Sequence, residues 1–164
     1  MGREVKRVPL NFSWPLKEVW EGYLMPDKFA RVHSTVGSFT SIAWRPEQKE
    51  DGGNVYPFKV RKDPKRNIRV WMSDGNDDLE NQFGSWPMQN IQMANSLKYR
   101  EYDFHFRFGT AAHGGAQFSL DLPESLAWLW RGYDPAKTTQ EFAMDSAEKD
   151  KPFFRVTIAN RDAW

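Results

Sequence analysis

The sequence lacks cysteine altogether and carries almost no net charge. Without cysteine the chain can form no disulfide bond, no thiolate zinc site and no cysteine nucleophile, and it is compatible with a reducing compartment. The formal net charge is +1, from 23 lysine and arginine residues against 22 aspartate and glutamate residues. A balance this close to neutral gives no overall attraction to nucleic acid or to an anionic membrane, so any such attraction has to come from a local patch.

Long apolar runs are also missing from the sequence. No stretch approaches the roughly 20 apolar residues that a membrane-spanning helix requires. Residues 1–10 are charged and lack the apolar run of a signal peptide or a membrane anchor. These two features predict a protein that works in the cytoplasm of the cell that makes it, without a membrane partner.

Aromatic residues, by contrast, are abundant, at 15% of the chain with 8 Trp and 12 Phe. Large rings bury much surface each, so we expect most of them to fill the core. Some must also lie near the surface, where Trp and Tyr favour binding faces. The length of 164 residues suits one domain, and no low-complexity segment or linker divides the chain, so a single domain over residues 1–164 is predicted.

The pattern of apolar residues predicts an α+β fold built on a largely antiparallel sheet. Residues 55–62 and 68–72 are predicted as strands of one hairpin, over about residues 55–72, because residues 63–67 have the composition of a turn. Apolar and polar residues alternate over residues 101–108 and 116–122, with glycines between. This period of two predicts a second hairpin, over about residues 101–122, with one apolar face and one wet face.

Three or four short helices are predicted to pack against this sheet. Capping serines followed by Trp-Pro mark helix starts at Ser13 and Ser85, and a capping-box spacing marks a third helix over residues 123–131. A fourth helix is predicted to run from Asp134 to about residue 149. Further strands are expected at three places, namely residues 5–10, 39–44 and 153–159.

The first predicted hairpin carries the best candidate for a binding surface. Six basic residues fall within eleven positions, opposed only by Asp63, and rings interleave with them. Such a turn can contact phosphates and stack bases, or dock on an acidic protein surface. The alternative is a solvated hairpin whose charges keep an edge strand from pairing with another chain. The candidate residues are Lys59, Arg61, Lys62, Lys65, Arg66, Arg69 and the nearby Trp71.

Two tryptophans in the predicted third helix extend this candidate set. Trp128 and Trp130 stand two positions apart and so cannot share one face of a helix. One of them is therefore expected to leave the core stripe. It either packs beneath another element or marks a contact surface, and both residues are kept as candidate partner-binding residues.

The acidic run at residues 74–80 begins like a calcium-binding loop but does not continue as one. Leu79 occupies the position where the loop needs glycine, and Ser85 the position where it needs a bidentate glutamate. Helix N-terminal acids, or partners for the basic patch, are the preferred interpretation, with a weak Mg²⁺ site as the alternative. We therefore predict no metal site and no cofactor.

The three histidines give no recognisable catalytic centre. None of His33, His105 and His113 forms the i, i+4 pair of a helical zinc site. His105 shares the predicted wet face with Asp103 and Arg107, a trio suited to proton transfer, but an exposed strand face produces the same pattern without chemistry. His113 precedes two glycines and is interpreted as part of a hairpin loop. No catalytic residue is predicted.

Residues 2–10 are Gly-Arg-Glu-Val-Lys-Arg-Val-Pro-Leu, and Phe12, Trp14-Pro15-Leu16 and residues 19–24 (Val-Trp-Glu-Gly-Tyr-Leu) follow. This opening, over about residues 2–26, resembles that of a group of uncharacterised phage and prophage proteins. Those proteins often continue with Cys-x-x-Cys stretches that look zinc-binding, and a chain without cysteine cannot share that metal role. The resemblance implies a bacteriophage or prophage origin and a place of action inside the host bacterium.

A small phage protein without a catalytic motif often acts by binding. The function expected here is therefore a non-enzymatic binding protein that blocks a host bacterial protein or its nucleic-acid site, for example as an inhibitor of a bacterial defence system in the manner of anti-CRISPR proteins. A second hypothesis is a nucleic-acid-binding module that uses the basic residues 59–69. A small enzyme with an acidic metal site is a third, and a structural virion component is a fourth.

Overall fold

The computed structural model describes residues 26–27, 29–49, 51–137 and 139–153. The strand expected at residues 5–10, the helix starting at Ser13 and all but the first residue of the strand expected at 153–159 lie outside this range. Single turns of 3₁₀ helix occur at Ser41–Ala43, Pro46–Gln48 and Gly53–Val55. The strands and α-helices are β1 Arg31–Thr35, α1 Tyr56–Lys62, β2 Arg69–Asp77, β3 Glu80–Asn81, β4 Gly84–Ser85, α2 Trp86–Tyr99, β5 Asp103–Ala112, α3 Gly115–Leu129 and α4 Ser146–Lys149.

The main sheet has three parallel strands in the order β1-β2-β5. Arg69 of β2 pairs with Arg31 of β1 on one side and with Asp103 of β5 on the other. Parallel neighbours need long crossovers, and α1 and α2 lie in the two crossover connections. The α+β class agrees with the prediction, but the predicted largely antiparallel sheet is wrong. In the described part of the chain only the short strands β3 and β4 pair antiparallel.

The predicted hairpin over residues 55–72 is wrong because its first half is helical. Tyr56, Phe58 and Val60 alternate as in a strand, yet residues 56–62 form α1. Pro57 lies in the first turn, where its missing N–H costs no hydrogen bond and its fixed φ suits a helix. The second half is a strand, as predicted, and β2 extends it to Asp77.

The predicted hairpin over residues 101–122 is wrong for a similar reason. Its first half is β5, as expected, and β5 continues through the glycine at 109 to Ala112. Residues 115–122, however, begin α3, which continues through Pro123 and contains most of the helix predicted at 123–131. Asp121, Ser125 and Leu129 are the buried positions of α3, a spacing of four that belongs to one helical face.

The remaining local predictions have mixed outcomes. Ser85 caps α2 as expected, since its Oγ accepts a hydrogen bond from the backbone N of Met88 at 3.4 Å. The strand predicted at residues 39–44 is absent from that stretch, where Ser41–Ala43 forms a 3₁₀ turn. The fourth predicted helix, from Asp134 to about residue 149, is reduced to the single turn of α4, Ser146–Lys149.

The two faces of the sheet have different chemistry. One face packs against α1 and α2 and forms the hydrophobic core, whose buried members are Val32, Phe39, Val60, Ile68, Val70, Met72, Met93, Ala94, Leu97 and Tyr102. The other face lies beneath α3. It carries rings and charges at alternate positions of the same strands, among them His33, Trp71, His105 and Arg107.

A buried ion pair joins this second face to the end of α3. Arg69 Nε donates to Asp103 Oδ2 at 2.7 Å, and the two side chains are only 8% and 6% exposed. Arg69 Nη1 also donates to the carbonyl oxygens of Leu129 and Arg131. The second oxygen of Asp103 accepts from Arg131 Nη2 at 2.5 Å. One network therefore connects β2, β5 and the carbonyl groups that α3 leaves unpaired.

Replacing Asp103 by alanine tests this network. Asp103→Ala leaves Arg69 charged and unpaired inside the protein, so the free energy of unfolding should fall by about 3–5 kcal/mol. Urea-induced unfolding followed by circular dichroism measures the change. The control is Glu124→Ala, which removes an exposed partner of Arg107 and should cost less than about 1 kcal/mol. Equal losses in the two variants would contradict the role given to Asp103.

Candidate functional site

The outer side of the α1–α2 pair is both basic and aromatic. Phe58 is 57% exposed on α1 and Tyr99 is 64% exposed at the end of α2. Phe58, Arg61 and Lys62 are three and four residues apart and therefore share one face of α1. We refer to Phe58, Lys59, Arg61, Lys62 and Tyr99 as the basic aromatic surface.

Arg61 holds the two helices of this surface together. Its Nε donates to Ser96 Oγ at 2.9 Å, and its Nη2 donates to Asn95 Oδ1. The guanidinium carbon lies 4.7 Å from the centre of the Tyr99 ring. A planar guanidinium that is stacked and hydrogen-bonded at once has little freedom left, so the ring and the cation are already ordered before any partner arrives.

The two lysines of the surface are available to a partner. Lys62 is exposed and forms no ion pair with the described residues. Lys59 Nζ lies 3.3 Å from Asp51 Oδ2, with the two side chains 45% and 60% exposed. An ion pair this exposed contributes little to stability, and an anionic partner can replace it at small cost.

The structure does not bring the six predicted basic residues together in one turn. Lys59, Arg61 and Lys62 lie on α1, whereas Lys65 and Arg66 follow in the loop and Arg69 is buried in β2. Lys65 Nζ donates to the carbonyl oxygen of Glu101 at 2.7 Å, which ties it to the end of α2. Half of the predicted cations therefore belong to the basic aromatic surface.

The predicted aromatic contacts are also separated. Trp71 is 0% exposed and packs against His105 at 4.2 Å and Trp128 at 5.9 Å, measured between ring centres. Trp130 is 49% exposed, which agrees with the expectation that one of the two tryptophans leaves the core. It lies at the end of α3, which packs on the face of the sheet opposite to α1 and α2. A partner-binding role for Trp130 stays a prediction, and Trp71 is closed to any partner.

Two of the predicted acids are buried at the carboxyl edge of the sheet. Asp74 and Asp78 are 2% and 7% exposed, while Asp77 and Glu80 are exposed to solvent. Burial, together with a hydrogen bond that the protonated Asp74 donates to the Asp78 carboxylate, raises the pKa of Asp74 to about 8. His113 Nδ1 lies 2.7 Å from Asp78 Oδ1. We call Asp74, Asp78 and His113 the carboxyl cluster.

The trio of Asp103, His105 and Arg107 does not form a proton relay. Asp103 binds Arg69 and Arg131, and Arg107 binds Asp121 at 2.6 Å and Glu124 at 2.5 Å. The expectation of a wet strand face is wrong as well, because α3 covers it.

Burial changes the protonation of both histidines of this covered face. Burial lowers the pKa of His105 and of His33, which favours the neutral ring in each case. His33 Nε2 has a polar partner there, Ser125 Oγ at 2.8 Å. Within the described ranges, no three His, Asp or Glu side chains are arranged to hold a metal ion.

Sequence reasoning misses one residue and one contact of these sites. Tyr99 is not marked by any motif, although its exposed end-of-helix position gives the surface its second ring. The contact between Asp78 and His113 spans 35 positions, and its only signal is that parallel strands end at the same edge of a sheet. The antiparallel sheet predicted from the sequence does not place these two strand ends at the same edge.

Comparisons with protein-family models, with curated proteins and with solved structures found no match. The basic aromatic surface and the carboxyl cluster are therefore candidate sites on geometric grounds alone. In the ranges that the structure describes, no helix combines the length and the apolar character needed to cross a bilayer.

The exposure of Tyr99 is tested by comparison with a neighbour on the same helix. Tyr99→Ala removes an exposed ring that stacks on Arg61, so it should cost less than about 1 kcal/mol of unfolding free energy. Leu97→Ala creates a cavity in the core and should cost about 2–5 kcal/mol. Both values come from urea-induced unfolding. A larger loss for Tyr99→Ala than for Leu97→Ala would contradict the exposure of Tyr99.

Proposed function

We propose that this chain is a non-enzymatic binding protein that docks onto an anionic macromolecular partner through the basic aromatic surface. The observation that supports this most is the exposure of two large rings, Phe58 and Tyr99, beside cations on one pair of packed helices. Aromatic residues and arginine dominate the energetics of protein interfaces, and rings this exposed gain little for the isolated fold.

The charge of this region favours an acidic partner. Residues 58–66 contain five lysines and arginines against the single acid Asp63, whereas the whole chain has a net charge of only +1. A local positive patch on a nearly neutral protein steers the approach of a negative surface and fixes its orientation. Arg61 and Tyr99 are ordered in advance, which lowers the entropy lost on binding.

The proposed partner is a host bacterial protein, or a complex of such a protein with nucleic acid. A bacteriophage or prophage origin, action in the host cytoplasm and inhibition of a bacterial defence system belong to the same proposal. They rest on the resemblance of residues 2–26 and on the binding mode that the surface favours. Covering an anionic site by shape and charge inhibits an assembly without any chemical step.

Direct binding of nucleic acid is the second candidate. Exposed rings beside cations can stack bases while the cations contact phosphates. Phe58 shares a helix face with Arg61 and Lys62, and Tyr99 stacks on Arg61. The small-enzyme hypothesis has less support, because Asp74 and Asp78 are closed to solvent and hydrogen-bonded to each other.

The double variant Lys59→Glu/Lys62→Glu tests the proposed surface. The immobilised protein is incubated with nuclease-treated bacterial lysate, and retained proteins are identified by mass spectrometry. We expect the wild type to retain a partner and the double variant to retain it at least about tenfold less, a loss of about 1.4 kcal/mol or more in binding energy. The control Lys137→Glu/Lys151→Glu makes the same change in net charge at exposed positions outside the surface and should bind like the wild type.

A second measurement separates the two candidates. Fluorescence anisotropy with a labelled single-stranded oligonucleotide at about 50 mM and about 200 mM salt reports direct nucleic-acid binding and its salt dependence. Strong, salt-sensitive binding that the double variant loses supports the second candidate. Retention of the same partner by wild type and double variant would rule out the basic aromatic surface.

A further inference from the structure

We propose that the carboxyl cluster is a proton-operated latch. With one proton shared between Asp74 and Asp78, the turn after β2 is held closed against α2 and the end of β5. Without that proton the turn opens. This inference concerns the carboxyl edge of the sheet and does not depend on the proposed binding function.

The cluster lies where four segments of the chain meet. Asp74 is near the end of β2, Asp78 follows β2, and His113 follows β5. From α2, Asn90 lies beside Asp74, and its Nδ2 donates to the carbonyl oxygen of Gly37 after β1 at 2.8 Å. The cluster therefore lies at the C-terminal ends of all three parallel strands, and a change in it affects each of them.

The hydrogen bond between the two carboxyl groups requires a proton. Ionised carboxylates only accept hydrogen bonds, so two of them cannot bond to each other. The Oδ1 atoms are already occupied, since Asp74 accepts from Gly75 N at 2.7 Å and Asp78 accepts from Leu79 N at 2.6 Å. Both Oδ2 atoms are buried and receive no donor from the described residues. One shared proton satisfies these two oxygens at once.

Few other charged groups lie near enough to neutralise the two carboxyl groups in place of that proton. His113 contacts Asp78 from the end of β5, and its ring packs edge-on against Trp86 of α2 at 5.9 Å between ring centres. From α2 the cluster receives only the neutral Asn90 amide and the Trp86 ring. Asp77 is exposed and accepts a hydrogen bond from Asn76. Among the described residues no lysine or arginine forms an ion pair with Asp74 or Asp78.

Loss of the proton would place a second negative charge among the buried groups at the carboxyl edge of the sheet. Two like charges in contact and out of water repel strongly, and separation is the available relief. β2 itself is held in place, because a Cβ on Gly75 would lie 2.3 Å from the backbone of Ala111, so the strands are already in close contact. The turn is less confined, since Leu79 is 40% exposed. A hydrogen bond from Trp86 N to the carbonyl oxygen of Leu79, at 2.9 Å, holds it against α2 in the closed form.

The pH range of the latch follows from Asp74. Its pKa is about 8 in the folded protein and 3.8 in the unfolded chain, so the folded form holds the extra proton between these values. The stability that this group contributes is complete below the unfolded value and is lost as the pH rises through about 8. The latch is closed at neutral pH and opens on the alkaline side.

Hydrogen exchange measured by NMR at about pH 7 and about pH 9 tests the latch. After correction for the intrinsic exchange rate, the amides of Leu79 and Trp86 in the wild type should lose about tenfold or more of their protection at the higher pH. The amide of Val70, in β2, should keep its protection. Asp74→Asn carries no charge and can donate its amide hydrogen to Asp78, so it should show no such loss.

Two further variants complete the experiment. Asp77→Asn is the control, since it removes an exposed acid next to the cluster and should behave like the wild type. Asp78→Asn removes the other partner and should also abolish the pH dependence, which keeps the proposal falsifiable if Asp74→Asn fails to fold. Unchanged protection of Leu79 and Trp86 in the wild type between the two pH values would overturn the latch. An undiminished loss of protection in Asp74→Asn or Asp78→Asn would overturn it equally.

Discussion

The ion pair between Arg69 and Asp103 is the constraint on which the rest of this structure depends. It crosses from β2 to β5 beneath α3, and its remaining hydrogen bonds satisfy carbonyl oxygens at the end of that helix. Charges buried to this degree are tolerated only when each is paired and hydrogen-bonded. Strand register and helix position must therefore be correct together, so the pair selects one arrangement of the sheet and α3.

This constraint explains why the two faces of the sheet differ. The face beneath α1 and α2 is apolar and can be filled by any well-packed set of side chains. The face beneath α3 has rings stacked on rings and guanidinium groups stacked on rings, with Trp71 at its centre. The helices pack on the sheet through their inner sides. The outer side of α1 and α2 is therefore available for binding, and it carries the basic aromatic surface.

Sequence reasoning succeeds where the signal is local. The alternation in β5 and the serine cap at Ser85 depend on neighbours within a few positions, and both predictions are confirmed. It fails where one pattern fits two structures. Tyr56, Phe58 and Val60 alternate like a strand, but the crossover between two parallel strands places a helix there.

The candidate sites are predictable to a similar extent. Lys59, Arg61 and Lys62 are recognisable from their density along the chain, since basic side chains close in sequence stay close in any local structure. The pairing of Asp78 with His113 depends on the order of strands in the sheet, which no local pattern contains. Arg69 and Trp71, predicted as partner-binding residues, are buried, because alternation does not tell which face of a strand a later helix will cover.

The histidines beneath α3 have a consequence for the conditions that this protein tolerates. Burial lowers the pKa of both His33 and His105 from 6.5, so their protonation opposes folding as the medium becomes acidic. Asp74 acts in the opposite direction, since the stability that it contributes is lost as the pH rises through about 8. Falling pH therefore opposes the burial of the histidines beneath α3, and rising pH opposes the burial of Asp74 at the carboxyl edge of the sheet, so the two ends of the pH range act at two different places.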